Sequence, residues 1–342
     1  MKENKEKNRV AVVTVTYGNR WKFLSQVIDA VCADMNVTAC VVVDNASENG
    51  ADIDARAAED SRIVILRQSR NIGSAGGFAA GIKHVQTLPC DFVLLLDDDN
   101  VPEKGFSKIF LEHAASLGEK AVALGNRNDL KANEQMFYAT APVDPEIPTT
   151  FFSVFAWKKI RRFASMLFSF GRTRALSEKN FKPVIEVESF AYGGTFLPIN
   201  AARNALLPDE KLFSYGDDIE YSWGVRRAGF QIFLCHEPVI HDIDLTFQSD
   251  YLLDLFSPKT SDFKVFFRMR NMALISRKHS RNVFVLWLNV WAWFAGLCAY
   301  ALCKLGPSRF FFHRAAFIAG AFRRGLMLDY SMPLSVKVPG AK

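Results

Sequence analysis

A chain of 342 residues, 49% hydrophobic and 23% charged, is long enough to bury one α/β domain with an appendage or two modest domains, and its composition is globular. Its net charge of +6 conceals an asymmetry: residues 263–328 hold 11 Lys and Arg, residues 147–177 hold 6 more, and neither stretch contains an acid. Elsewhere 25 basic residues face 36 acidic ones, and the basic stretches are rich in the chain's 30 Phe and 6 Trp, which suits an anionic membrane surface and argues against nucleic acid as a partner.

The charged residues 1–9 run directly into a strand pattern without the apolar stretch of a signal peptide, so a cytosolic catalytic part is expected. Apolar, β-branched runs at 10–16, 39–44, 62–67 and 91–97 alternate with helical patterns at 21–33, 50–58 and 73–86. This alternation predicts an α/β fold with right-handed crossovers, a mostly parallel sheet and helices on both faces, with ligands beyond the carboxyl ends of the strands. Three strand ends carry polar groups: Thr16-Tyr17-Gly18-Asn19-Arg20, Asp44-Asn45 and Asp97-Asp98-Asp99. A basic aromatic insertion follows at 151–174, regular structure resumes at 190–196, and 217–229 reads as a helix with an acidic first turn. The six cysteines show neither C-x-x-C pairs nor zinc spacing and read as core residues.

Residues 283–303 form a 21-residue run in which Asn289 is the only strongly polar member, long enough to span a membrane. A single crossing would leave Lys304, Arg309, Arg314, Arg323 and Arg324 on the side the positive-inside rule disfavours; an in-plane or shallowly re-entrant helix avoids that, and a buried helix is the third option. The expected division is a domain at 9–250, with its insertion at 147–177, and a helical, membrane-associating region at 251–342.

Three carboxylates at the end of a buried strand repel one another unless a cation compensates them. Asp97 and Asp99 share a face of an extended chain and would both reach one Mg²⁺ or Mn²⁺ or a nucleotide's ribose; a solvated acidic turn fits the same residues. Gly216-Asp217-Asp218-Ile219-Glu220-Tyr221 offers Asp218 as a general base toward a hydroxyl, although first-turn acids are also ordinary partners of the helix dipole. His241 follows a further apolar stretch as a candidate metal ligand, with His236 its rival. Residues 71–77 open a helix with glycines that favour an anion, but the dinucleotide fingerprint is missing after the first strand, which removes the best support for hydride transfer.

Taken together, residues 12–20, Val43-Asp44-Asn45-Ala46-Ser47, 71–77, 96–99 and 217–229 resemble the family 2 inverting glycosyltransferases over roughly residues 9–245. The Asn-x-Gly-x-Ala-Gly-Gly-Phe, triple-Asp and Gly-Asp-Asp-x-Glu-Tyr patterns look closest to bacterial galactofuranosyl- and rhamnosyltransferases. The resemblance implies a GT-A fold. It implies nucleotide contacts at Thr16, Tyr17, Arg20, Asp44, Arg70, Asn71, Gly76 and Asp98, a metal on Asp97, Asp99 and His241, and Asp218 as catalytic base. Tyr192, Gly193, Gly194, Asp217 and Trp223 would bound the acceptor site, and Gly224 departs from the family, where Arg is frequent.

The function so implied is metal-dependent, inverting transfer from a nucleotide-diphosphate sugar to a hydroxyl of a lipid-linked or lipopolysaccharide glycan. UDP-galactofuranose is the favoured donor, Mn²⁺ or Mg²⁺ the cofactor, and the cytoplasmic face of the plasma membrane the location. dTDP-rhamnose is the alternative donor, and a non-catalytic sugar-nucleotide sensor or scaffold the alternative class. A nucleotidyltransferase would need a glycine-rich basic loop after its first strand, and a glycosidase would need no nucleotide site.

Overall fold

The computed structural model describes residues 9–127, 181–244 and 251–339. The insertion expected at 147–177 lies outside the described residues. The first half alternates as its pattern predicts: β1 (Val10–Thr16), α1 (Trp21–Cys32), β2 (Val37–Asp44), α2 (Gly50–Glu59), β3 (Ile63–Arg67), α3 (Gly73–Val85) and β4 (Phe92–Asp97). The short β5 (Asn100–Pro102), α4 (Phe106–Leu117) and β6 (Ala121–Asn126) follow. After the undescribed segment come β7 (Val184–Glu186), β8 (Thr195–Pro198), α5 (Ile199–Asn204), α6 (Asp217–Arg227) and the long β9 (Gln231–Asp242).

These strands form one sheet in the order β3-β2-β1-β4-β8-β6-β9-β5, with β7 also paired to β9. The pairs joining β3, β2, β1 and β4 are parallel. The sheet then becomes mixed, because β8 runs antiparallel between β4 and β6. Alternation within the fully buried β1 splits its side chains between two cores: Ala11, Val13 and Val15 face α3, α5 and α6, whereas Val10 and Val12 face α1, α2 and α4. Helices therefore cover both faces. On one of them α3 lies close against β1, since a Cβ at Gly77 or Gly81 would overlap Val15 or Val13. These glycines, one helical turn apart, serve helix-to-strand packing.

The C-terminal helices α7 (Tyr251–Asp254), α8 (Asp262–His279), α9 (Val283–Leu305) and α10 (Arg309–Leu326) enclose a third core that includes Phe256, Phe266, Val290, Phe311 and Phe322. Ser261, Asn282 and Ser308 cap α8, α9 and α10 by accepting first-turn amides, which sets where each helix starts. A smaller cluster of Leu212, Trp223, Leu274 and Ile275 joins α8 to α6 and its preceding loop. α9 is long and apolar enough to cross a membrane, and only 22% of its most apolar window is buried. Phe284, Leu288 and Leu305 on α9 and Phe312 on α10 are exposed.

Candidate active site

A cavity of about 540 Å³ opens beyond the carboxyl ends of β1, β2 and β4. It is lined by Tyr17 and Arg20 after β1, Asn45 after β2, Asn71, Gly73 and Ser74 at the start of α3, and Asp97, Asp98 and Asp99 after β4. Arg127 enters from the end of β6, and residues 213–219 close the side formed by the start of α6. Phe263, Arg268 and Met272 of α8 complete the wall. Parallel strands share one direction, so loops far apart in sequence end at a common edge.

Arg20 organises the acids. Its guanidinium pairs with Asp98 at 2.8 Å, Asp99 at 2.7 Å and Asp244 at 2.9 Å, while the Thr16 hydroxyl donates to Asp98 at 2.7 Å. Burial alone would lower the arginine's pKa, but Asp98, Asp244 and Asp99 more than reverse it and hold Arg20 charged. Asp98 is pushed up to about 6 by burial, against the pull of Arg20 and Thr16. Asp97 differs, because no donor bonds to its carboxylate among the described residues. Burial, then the charge of Asp99, push Asp97 up to about 7. An under-compensated carboxylate beside a second one is a donor set that fits a hard divalent cation. The positive charge of Arg127 opposes that rise, and Arg127 is itself bound to Asp242, which also accepts from Asn100.

Gly216, at φ 86, turns the chain into α6, whose first turn holds Asp217, Asp218 and Glu220 and whose last turn holds Arg226 and Arg227, matching the helix dipole at both ends. Asp217 is buried and accepts from the Ser74 hydroxyl at 3.0 Å. Asp218 lines the cavity and accepts from the Ile219 amide at 2.8 Å. Burial raises both acids, with the charge of Asp218 adding to the rise at Asp217, while helix amides and Arg127 draw Asp218 back down. Asp218 is thus the more readily ionised of the two and the one open to a ligand. Tyr192 stacks on Phe78 with ring centroids 3.8 Å apart, lines the cavity, and directs its buried hydroxyl toward the Asp217 carboxylate.

The cavity therefore collects Tyr17, Arg20, Asn71, Asp97, Asp98, Asp99, Tyr192, Asp217 and Asp218 from the expected site. Others lie elsewhere. Thr16 is buried beneath Asp98, and Asp44 is engaged by Arg67 and by the Ser47 amide. Arg70 is exposed outside the cavity. Gly76 packs on Ile72 within α3, while Gly193 admits the Asn100 side chain and Gly194 bonds the end of β4, beneath the cavity. Trp223 lies five positions after Asp218, about 140° around the helix, and is buried edge-on to His279 at 4.9 Å. His241 is exposed, because strand alternation turns its neighbour Asp242 toward Arg127 and Asn100 instead. His236 is exposed too, against Phe181. Among the described residues no three His, Cys, Asp or Glu side chains converge as a metal site.

The sequence profile of glycosyl transferase family 2 matches residues 11–178, which carry the strand ends and the triple Asp just described. Over those residues, just under half of its length, the chain is similar to family 2 glycosyltransferases. Over 231 residues it is 26% identical to galactofuranosyltransferase GlfT1 of Mycolicibacterium smegmatis, an alignment covering 66% of this chain and 68% of that one. The fold is GT-A, as in the mannosyltransferase PcManGT from Pyrobaculum calidifontis, solved with GDP-Man and Mn²⁺, with a TM-score of 0.53, 13% identity and coverage of 94% and 88% of the two chains. GalNAc-T7, solved with UDP, GalNAc and Mn²⁺, gives a TM-score of 0.48 and 12% identity over 68% of this chain, which spans only 43% of that one.

Several cavity residues carry no motif of their own. Arg127 ends an ordinary strand, and the α8 residues belong to a stretch that reads as an anchor. Asn45 gave a signal, since it sits in the quoted second motif; it bonds Asn71 at 3.1 Å and the Gly73 carbonyl at 2.9 Å, tying β2 to α3.

Asp97→Asn tests the charge balance of the metal-free enzyme. Well below the ordinary aspartate value of 3.8 Asp97 is protonated in both the folded and unfolded chain, so the two proteins differ least. As pH rises from about 4 to about 7 the unfolded chain ionises Asp97 while the fold retains its proton, so the wild type loses stability relative to the variant. Urea unfolding of both proteins from pH 4 to 8 should show the gap widening across that window and then levelling. A gap independent of pH would mean that the carboxylate is well solvated.

Proposed function

We propose that this chain is a family 2 glycosyltransferase that moves galactofuranose from UDP-galactofuranose to a hydroxyl of a lipid-linked or lipopolysaccharide glycan, in a single displacement with inversion. The observation that carries the reading is Asp218: a cavity-facing carboxylate at a helix start, sharing its cavity with Tyr17, Asn71 and the acids after β4. Asp218 takes the proton from the acceptor hydroxyl as that oxygen attacks the anomeric carbon. Tyr17 and Asn71 hold the nucleotide, and Tyr192 lines the sugar side of the cavity beside Asp217. Asp97 and Asp99 would hold Mn²⁺ or Mg²⁺, which when bound neutralises charge on the leaving diphosphate. Support for a metal comes from the bare Asp97 carboxylate and from the Mn²⁺ solved with PcManGT, and support for the sugar comes from the GlfT1 relative.

The exposed apolar residues of α9 and α10, beside Arg309 and Arg323, would hold the enzyme on the cytoplasmic face of the plasma membrane, where a lipid-linked acceptor resides. The test is a panel of UDP- and dTDP-sugars, with and without Mn²⁺, with membrane-extracted glycolipid as acceptor and the product's anomeric configuration determined. The expected result is metal-dependent consumption of UDP-galactofuranose and an inverted linkage. Turnover of dTDP-rhamnose instead would name the other sugar, and retention would overturn the single displacement. UDP binding without turnover of any donor would make the protein a sensor.

A further inference from the structure

The residues just before the acids of α6 adopt an uncommon backbone. Phe213 (φ 67), Tyr215 (φ 65) and Gly216 (φ 86) all lie in the left-handed region, which L side chains rarely enter and which persists only where surrounding contacts impose it. The contacts that impose it come from α8. The Asn271 amide donates to the carbonyls of Leu212 at 2.9 Å, Ser214 at 2.7 Å and Tyr215 at 2.9 Å. Arg270 donates to the same Leu212 carbonyl at 2.9 Å, to Tyr330 at 2.6 Å, and to the Asn271 side-chain oxygen at 2.7 Å, which orients the amide.

Both side chains are fully buried, and no carboxylate pairs with Arg270 among the described residues. Its immediate environment is carbonyls and the rings of Phe267, Phe266 and Tyr330, and burial pushes the guanidinium down to about 10 against the charges of Asp329 and Asp209. A buried cation with no carboxylate bonded to it is costly for stability alone. Two close approaches brace the arrangement. On one side the Phe213 carbonyl accepts from the Ala75 amide at 3.1 Å, where a Cβ on Gly73 would overlap it. On the other, Gly325 of α10 lets that helix lie directly on the Arg270 backbone.

We propose that Asn271 and Arg270 are positioning residues for Asp218: through the carbonyls of Leu212, Ser214 and Tyr215, the C-terminal helices set the direction in which α6 presents its carboxylates. The region beyond residue 251 is then part of the catalytic apparatus as well as an anchor. This rests on the reading of Asp218 as the base.

The test uses the full chain and compares wild type, Asn271→Leu, Asn271→Ser and Asp218→Asn for kcat, donor KM with UDP-galactofuranose, UDP affinity by calorimetry, and thermal unfolding. A misdirected base lowers kcat by about a hundredfold in Asn271→Leu, and by less in Asn271→Ser, which keeps one donor. Donor KM and UDP affinity stay near wild type, because the nucleotide end of the cavity is built by other loops. If Asn271→Leu fails to fold, Asn271→Ser decides. Loss confined to KM or UDP affinity, or kcat falling only in step with the folded fraction, would overturn the positioning role. Inactive Asp218→Asn beside fully active Asn271 variants would overturn it and leave the base intact. Fully active Asp218→Asn, or a wild type that turns over no donor, would remove the base reading and this inference with it.

Discussion

Asp218→Asn should lower kcat by about a thousandfold while leaving donor KM close to wild type. The substitution replaces one oxygen by an amide of the same shape, so the Ile219 amide keeps an acceptor and the helix start is preserved. What disappears is the ability to take a proton in the transition state. On the proposed reading donor binding rests on other lining residues, Tyr17 and Asn71 among them, and should survive. The wild-type rate should fall on acidification, with a limb above the ordinary carboxylate range, because burial raises Asp218 and only its ionised form accepts the proton. That limb belongs to the interacting pair Asp217 and Asp218, and should vanish with the residual activity of the variant. A rate within a few-fold of wild type would place the base elsewhere.

Arg20→Met carries the largest expected effect on stability. The variant retains most of the aliphatic stem but leaves Asp98, Asp99 and Asp244 without the charge they share, in side chains only 5%, 20% and 7% exposed. Breaking a buried ion pair from one side costs about 3–5 kcal/mol, because the remaining charge is stranded. Urea unfolding at pH 7.5 should show that loss, and Asp98→Asn in the same chain should recover part of it, since the two changes remove opposite charges from one network. At low pH the carboxylates protonate and the difference narrows. A loss below about 0.5 kcal/mol, the level typical of an exposed pair, would mean that water compensates the acids and that Arg20 does not organise the site.

Arg20 and Asp218 also mark how far the sequence could be read. Both stand where a periodic pattern stops at a cluster of polar residues, and a parallel strand that ends in acids declares its own ligand edge. The early strands and helices appear within a residue or two of their patterns for the same reason: β-branched runs and apolar helical faces are local signals. His241 and Trp223 show the opposite case. Each lies beside functional residues in sequence, yet strand alternation turns one outward and helix rotation carries the other to the far side of α6. Adjacency along the chain was a poor guide to the direction of a side chain.

By itself, the sequence determined the parallel half of the sheet, the acidic strand end, the acidic helix start and the apolar helix near the C-terminus, because each is written in the period or charge of a short segment. Only the tertiary structure decided that β8 reverses direction within the sheet, that Arg127 faces the acids, and that Asn271 and Arg270 hold the loop ahead of Asp218. These contacts join residues 30 or more positions apart, and no local pattern marks them. Buried hydrogen bonds and charges are satisfied by whatever the packed elements bring within reach, so the partners become known only once the elements are in place.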